Sequence, residues 1–375
     1  MSERYDRMDD VRVAGIDCGT NSIRLLIADV PGARAPLDDV VRRMDVVRLG
    51  QGVDQAGEFA ADALERTFAQ VEEYAQLCRE HGVESIRFAA TSAARDARNR
   101  DVFLSGVRAR MGVPAQVLNG EAEARASFRG AASVLSNGAA SGATSVLSEG
   151  TAPGAAATSS AMPPSAALPR SDVAGAGALA ASPLLAVDLG GGSTEIVLGS
   201  LVGGVISEFS MDVGCVRMHE RHLHDDPPTS EQIAAARADV NAALDAAERV
   251  VDFGASHALV GLAGTVTTLT AKSLGLEAYD PSRIHGSRLT PSEVIATCEW
   301  FLAAPRSTRA ALGFMHPGRV DVIAAGALVW EETVKRIAQR MAEGGHALEA
   351  VVTSEHDILD GVALWAAEEV QAPQW

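Results

Sequence analysis

The chain carries the same short pattern twice. Val11-Arg-Val-Ala-Gly-Ile-Asp17 is an apolar run ending on an aspartate, followed by the small-residue stretch Cys18-Gly-Thr-Asn-Ser22 and a second apolar run, Ile23-Arg-Leu-Leu-Ile-Ala28. Leu184-Leu-Ala-Val-Asp188 does the same through Leu189-Gly-Gly-Gly-Ser193, with Asp, Gly and Ser at matching offsets. Strand, tight turn and strand form a hairpin signature. Its recurrence in the second half of the chain predicts two similar domains facing one another. The length, 375 residues, exceeds one ordinary core and fits two.

The rest of the pattern is α/β. Leu64, Phe68, Val71, Ala75 and Cys78 share one face, which predicts an amphipathic helix over 59–80. A strand is expected over 85–90, ending in Thr91-Ser92, whose hydroxyls are suited to cap a helix that begins near Ala93. A strand at 113–118 and a helix from Gly120 follow. A third strand–turn–helix unit spans 257–265, with Thr267 and Thr268 in the helix's first turn. Helices are expected over 291–302, 321–335 and 358–368, and a strand near 350–352.

Between the halves, 131–183 collapses to Ala, Ser, Gly, Thr and Pro, with no aromatics and almost no charge. Such a stretch cannot bury enough apolar surface to offset its ordering entropy, and it reads as a disordered linker or insert looping out from the domain junction. The expected domains are therefore 1–130 and 184–375.

Charge narrows the function. The formal net charge of −17 repels nucleic acid, which is bound largely through its phosphates. If the substrate is itself polyanionic, attraction must be local, from a few arginines, backbone N–H groups and a divalent cation. Residues 1–12 lack an apolar stretch of signal-peptide type, and no run approaches the roughly 20 apolar residues of a membrane span. Cys18, Cys78, Cys215 and Cys298 are widely spaced with no C-x-x-C pair, which fits free thiols in a reducing cytoplasm.

The two turns are where chemistry is expected. Glycines let backbone approach a ligand, and successive N–H groups make an anion-binding concavity. Thr20, Ser22, Ser193 and Thr194 add hydroxyls, and Asp17 and Asp188 are hard oxygen ligands suited to Mg²⁺. A single such turn reads equally as a plain glycine hairpin; the repeat, with Gly190-Gly191-Gly192 in its second copy, favours phosphate. Arg24 and Arg95 are candidate fixed charges, with ordinary salt bridges as the alternative. Glu121, Glu123 and Glu195 are candidate general bases, though a glutamate on a polar helix is commonly a solvated face.

Asp17-x-Gly-Thr-Asn-Ser22, Thr91-Ser-Ala-Ala-Arg95, Gly120-Glu-Ala-Glu123-Ala-Arg125, Asp188-Leu-Gly-Gly-Gly-Ser-Thr-Glu195 and Gly261-Leu-Ala-Gly264-Thr265 occur in that order. Together they resemble the exopolyphosphatase / guanosine pentaphosphate phosphohydrolase (Ppx/GppA) family, from Val11 to about Leu364 apart from the linker. The resemblance implies an actin-like (ASKHA, ribonuclease H-like) two-domain fold with an interdomain cleft, and Mg²⁺-dependent release of a terminal phosphate. It implies Glu123 as catalytic carboxylate, and Asp188 and Glu195 holding metal and water, with Asp17 beside them. Gly19, Thr20, Asn21, Ser22, Arg24, Arg95, Gly190, Gly191, Gly192, Ser193, Thr194, Gly264 and Thr265 would bind the phosphate chain. The implied substrates are inorganic polyphosphate or guanosine pentaphosphate; a homodimer rests on the resemblance alone.

There are departures. Ala122 replaces the first of two adjacent glutamates, and Asp360 stands where many relatives carry a basic residue, which bears on chain-length preference. The chain resembles the short form of the family, without its extra C-terminal helical domain, and better activity on short polyphosphates is expected. An actin-like kinase of a small metabolite and a non-catalytic polyphosphate or alarmone sensor remain alternatives. His219, His222 and His224 read as a helix end or solvated loop before a metal site, and His257 and His356 as packing or capping residues.

Overall fold

The computed structural model describes residues 11–31, 37–140 and 182–371. The first half contains strands β1 (Val11–Cys18), β2 (Ser22–Val30), β3 (Asp38–Val46), β4 (Ser85–Ala90) and β5 (Ala115–Val117). Its helices are α1 (Val53–Ala56), α2 (Ala61–Glu80), α3 (Ser92–Asp96), α4 (Arg100–Met111) and α5 (Gly120–Ala140). The second half contains β6 (Leu184–Leu189), β7 (Thr194–Ser200), β8 (Gly204–Met211), β9 (Leu259–Leu262), β10 (Arg288–Leu289) and β11 (Val351–Thr353). Its helices are α6 (Cys215–Arg221), α7 (Ser230–Ala247), α8 (Ala263–Ser273), α9 (Pro281–Ile284), α10 (Pro291–Ala303), α11 (Arg306–Ala310), α12 (Ile323–Glu343) and α13 (Ile358–Gln371).

The two sheets repeat one topology. The first runs β3-β2-β1-β4-β5 and the second β10-β11-β9-β6-β7-β8. In each, a three-strand antiparallel meander is extended by parallel strands beside its first member. The register places Arg24 opposite Asp17 and Glu195 opposite Asp188, so these two residues occupy equivalent positions in the two hairpins.

Strands β1 and β6 are predominantly apolar because both faces are covered, with Asp17 and Asp188 near their C-terminal ends as the site-facing exceptions. One face of the first sheet packs Ile16, Ile23 and Leu25 against Val71 and Tyr74 of α2 and Phe103 of α4. Its other face packs Val13, Leu26 and Ala28 against Leu359, Ala363 and Ala367 of α13. The second sheet has the large core beneath α7, α8, α10 and α12, and α5 lies on its opposite face through Ala124 and Phe128. The last helix of each half thus packs on a sheet, α5 on the second and α13 on the first. The two meet at Ala126, Ile358 and Val362.

That arrangement differs from the sequence boundaries in two places. Helix α13 was expected in 184–375 with the second domain, yet its apolar stripe matches the first sheet. Helix α5 continues to Ala140, into the stretch expected as linker from 131; the remainder, 141–181, lies outside the described residues. Thr91 sits at the N-cap of α3 without a side-chain cap bond, in contrast to its expected role. All four cysteines are free and buried. No helix among the described residues is long and apolar enough to cross a membrane.

Candidate active site

The two repeated turns meet across a narrow cleft with a cavity of about 90 Å³. From the first half, Asp17, Gly19, Thr20, Asn21, Ser22 and Arg24 line it, joined by Thr91 and Ser92 at the start of α3 and by Glu123. From the second come Asp188, Gly190, Gly191 and Ser193, with Gly264 and Thr265 at the start of α8. Gly192 is the point of closest approach. A Cβ there would lie 2.3 Å from Ser92 Oγ and 2.6 Å from Thr20 Oγ1. Those hydroxyls are themselves hydrogen-bonded at 2.9 Å.

Both expected arginines are engaged with carboxylates inside the site. Arg24 donates from Nε and Nη2 to Asp17 Oδ2 at 3.0 and 2.6 Å, and from Nη1 to Asp357 Oδ2 at 2.5 Å. Arg95 reaches Glu123 Oε2 through Nη1, which also donates to the Leu118 carbonyl at 3.0 Å; its Nη2 lies 3.5 Å from Ser193 Oγ. The salt-bridge alternative therefore holds for each, at the cleft. Asp188 Oδ2 accepts from Ser127 Oγ at 2.5 Å, and Glu195 Oε1 from Ser210 Oγ at 2.7 Å.

Four expected site residues do not line the cleft: Arg95, which reaches it through Glu123 and Ser193, Gly192, whose carbonyl accepts from Arg217, and Thr194 and Glu195. Thr194 donates its hydroxyl to the Val213 carbonyl at 2.6 Å and is fully buried, so it braces the turn and offers nothing to a phosphate. Glu195 is 1% exposed and lies behind Asp188 and does not line the cleft. Glu121 is exposed, one position before the helix face that carries Glu123. His222 ends α6 and pairs with Asp239 at 3.0 Å, and no group of three metal-binding side chains forms around it among the described residues.

Arg319 was absent from the sequence reading. It lines the cleft, is half-buried, and has no carboxylate within salt-bridge distance among the described residues; Nη1 donates to Thr268 Oγ1 at 3.2 Å. Burial pulls its guanidinium below the ordinary arginine value, with Tyr279 and Cys215 opposing. It lies across Gly264, where a Cβ would fall 2.0 Å from Arg319 Nη2. The preceding Ala263 has φ of 69°, a left-handed conformation costing on the order of 1 kcal/mol outside glycine. The only signal in the chain was a Pro317-Gly-Arg turn before an apolar helix, which specifies no chemistry. Asp357, Ser127 and Ser210 were missed for the same reason.

The carboxylates crowd one another. Burial pushes Glu123 up to about 7, against the pull of Arg95. Burial, and then Asp357, push Asp188 up to about 7. Burial, then Glu123 and Asp188, raise Glu195 well above the ordinary glutamate range. Asp17 is raised by burial and partly restored by Arg24. Its Oδ1 is buried without any hydrogen-bond partner. An orphaned carboxylate oxygen amid excess negative charge fits a hard divalent cation. Among the described residues no three such side chains converge on one point. Mg²⁺ needs no dedicated protein cage, being held by one or two carboxylates, water and substrate phosphates.

Two sheets of one topology, crossed by helices and enclosing a cleft of paired phosphate-type turns, define an actin-like two-domain protein. A family profile described as the Ppx/GppA phosphatase family matches residues 26–142 and 173–350. Exopolyphosphatase 2 of Mycobacterium tuberculosis is 42% identical over 360 residues, covering 94% of this chain and 98% of that protein. The crystal structure of an exopolyphosphatase-like protein superposes with a TM-score of 0.80 at 39% identity, over 96% of this chain and 100% of the other. A Ppx/GppA enzyme of Aquifex aeolicus superposes with a TM-score of 0.68 at 26% identity, over 95% and 100%. The chain belongs to the Ppx/GppA phosphatase family, and so to the phosphoanhydride hydrolases.

Proposed function

We propose that the cleft releases the terminal phosphate of inorganic polyphosphate or of guanosine pentaphosphate, with Mg²⁺ as cofactor. The observation that carries this is Glu123, a buried carboxyl raised to about 7 at the edge of two anion-binding turns. A general base works best when its pKa lies near the working pH. In its ionised form Glu123 takes the proton of a water held for in-line attack, while Arg95 fixes the carboxylate's orientation through their ion pair. The backbone N–H groups of residues 20–21 and 191–193, with Arg319, take up charge on the transferring oxygens; those of Gly19 and Gly190 are spent closing their own turns on the Ser22 and Ser193 carbonyls. Arg24 contributes only if it trades Asp17 or Asp357 for phosphate.

Asp17 Oδ1 and Asp188 would hold the cation directly, and Glu195 through water. When bound, Mg²⁺ would supply Lewis-acid polarisation of a phosphoryl oxygen. Asp360 has no direct part here, being fully buried against Arg42. A second cavity shares Arg24, Gly264 and Arg319 with the cleft and is walled by Tyr279, Phe314 and Met315. Its apolar lining supports a guanosine nucleotide as substrate, whereas a bare phosphate chain needs only the cations.

The test is phosphate release from short polyphosphate, long polyphosphate and guanosine pentaphosphate, with and without Mg²⁺. Glu123→Gln should bind as the parent does and lose about 10²–10⁴-fold in kcat. Turnover unchanged in that variant removes Glu123 from the role.

A further inference from the structure

Arg217 does not line the cleft, yet all three of its nitrogens are committed. Nε donates to the Gly192 carbonyl at 2.7 Å, Nη1 to Asp54 Oδ1 at 2.9 Å, and Nη2 to Asp96 Oδ2. Its side chain is 11% exposed. Gly192 belongs to the second turn, whereas Asp54 in α1 and Asp96 at the end of α3 belong to the first half of the chain. The guanidinium therefore spans the mouth between the two lobes.

Its neighbours on α6 reinforce the span. Arg221 grips Asp54 from Nε and Nη2 at 2.6 and 2.8 Å, and Glu220 Oε1 accepts the Gly52 N–H at 3.0 Å. Another ion pair between the halves, Arg48 with Asp321, is longer at 3.3 Å and more exposed, at 42% and 29%. Such a pair contributes little. A nearly buried, three-point guanidinium is a different kind of contact, because its fork fixes direction as well as distance.

The residues that Arg217 holds are direct neighbours of the phosphate contacts. Asp96 follows Arg95, and Gly192 precedes Ser193; Arg95 and Ser193 face each other at 3.5 Å across the cleft. We infer that Arg217, with Asp54 and Asp96, is an interdomain latch that holds the two phosphate-binding turns in register, a positioning role for the cleft. The kinetic consequence rests on the hydrolase reading above; the latch itself rests on the contacts alone.

A latch of this kind acts on the open–closed equilibrium. Apparent affinity falls by the fraction of molecules in the binding-competent state, whereas bound substrate restores closure by its own contacts. Loss of the latch should therefore raise KM and leave kcat nearly unchanged. A merely structural arginine would do the reverse, lowering kcat through loss of folded enzyme at constant KM.

The experiment compares the full-length parent with Arg217→Gln, Asp96→Asn and the double variant. Hydrogen exchange is followed without substrate over 190–193 and 92–96. Each single variant should speed exchange in both segments by about tenfold, and the double should be no worse than the worse single, because the pair acts as one unit. With short polyphosphate, KM should rise about tenfold with kcat within about twofold of the parent. Exchange unchanged in both segments, or a kcat loss at constant KM, overturns the latch. A parent that releases no phosphate overturns the hydrolase reading instead, and exchange still decides the latch.

Discussion

Gly192→Ala tests whether the cleft works by holding its two turns in contact. The new Cβ would stand 2.3 Å from Ser92 Oγ and 2.6 Å from Thr20 Oγ1, where ordinary contact begins near 3.4 Å. Turning one hydroxyl away does not relieve the clash, because the other remains and the two are bonded to each other in a buried pair. The turns must therefore part by about 1 Å, a displacement that costs catalysis on the order of 10²-fold when reacting groups are misplaced by it. Overpacking should cost the fold about 1–3 kcal/mol. The assay is steady-state phosphate release, run in the parent and in a Thr20→Ala/Ser92→Ala background. There the hydroxyls are gone, and adding Gly192→Ala should cost far less than it does in the parent. An equal cost in both backgrounds, or no loss in the first, refutes the idea that turn-to-turn contact sets the geometry.

Three further outcomes are expected. Arg319→Gln should raise KM by about 10–100-fold, the loss of one charge-assisted bond to phosphate, and should melt no lower than the parent, because its guanidinium has no carboxylate partner among the described residues and burial opposes its charge. Glu123 and Asp188 are raised to about 7, so between their unfolded values and 7 the native state binds more protons than the unfolded chain, and stability must fall as pH rises through that window. Metal-free urea titrations at several pH values will show that slope, which Glu123→Gln should reduce. Asp360 behaves oppositely: held down to about 2 with His356 and Arg42 against its burial, it stabilises above its unfolded value and loses that contribution as pH falls toward 2. Asp360→Asn should cost about 3 kcal/mol in urea unfolding near neutral pH, since it breaks a buried pair whose arginine is one-third exposed.

How far the sequence could be read follows from where its signals were local. The paired hairpins were legible because strand, turn and strand are adjacent and because the pattern appears twice; β1, β4 and β6 fall where expected. Strand β3 was invisible because Asp38, Asp39, Arg42, Arg43 and Asp45 make it read as a charged loop. It is an edge strand with paired charges, Arg42 with Asp39 beside it and with the buried Asp360 of α13, and Asp45 with the Tyr74 hydroxyl. The placement of α13 was invisible for a different reason. An apolar stripe states that a helix is buried, and it does not say against which sheet. In the site, the turns and Glu123 were legible as motifs, but Arg319 and Asp357 arrive from distant segments. Thr194 misled because its motif position makes it look like Ser193, while its hydroxyl points to Val213.

The charge of the cleft explains how so acidic a protein could hold a polyanion. Asp17, Glu123, Asp188, Glu195 and Asp357 stand in or directly behind it against Arg24, Arg95 and Arg319, so full ionisation leaves two negative charges among the described residues. An isolated phosphate chain approaching that set meets repulsion, and the carboxylates themselves respond by taking up protons. One divalent cation on Asp17 and Asp188, as proposed above, would cancel that excess and favour the ionised form of Glu123. Arg319 would then remain as positive charge without a carboxylate partner among the described residues. On the proposed reading the −17 net charge is consistent with the chemistry, because attraction would be built into one cleft and conditional on the metal. It follows that substrate affinity should depend on Mg²⁺ more steeply than on ionic strength; equal sensitivity to both would place the binding on the protein's surface charge instead.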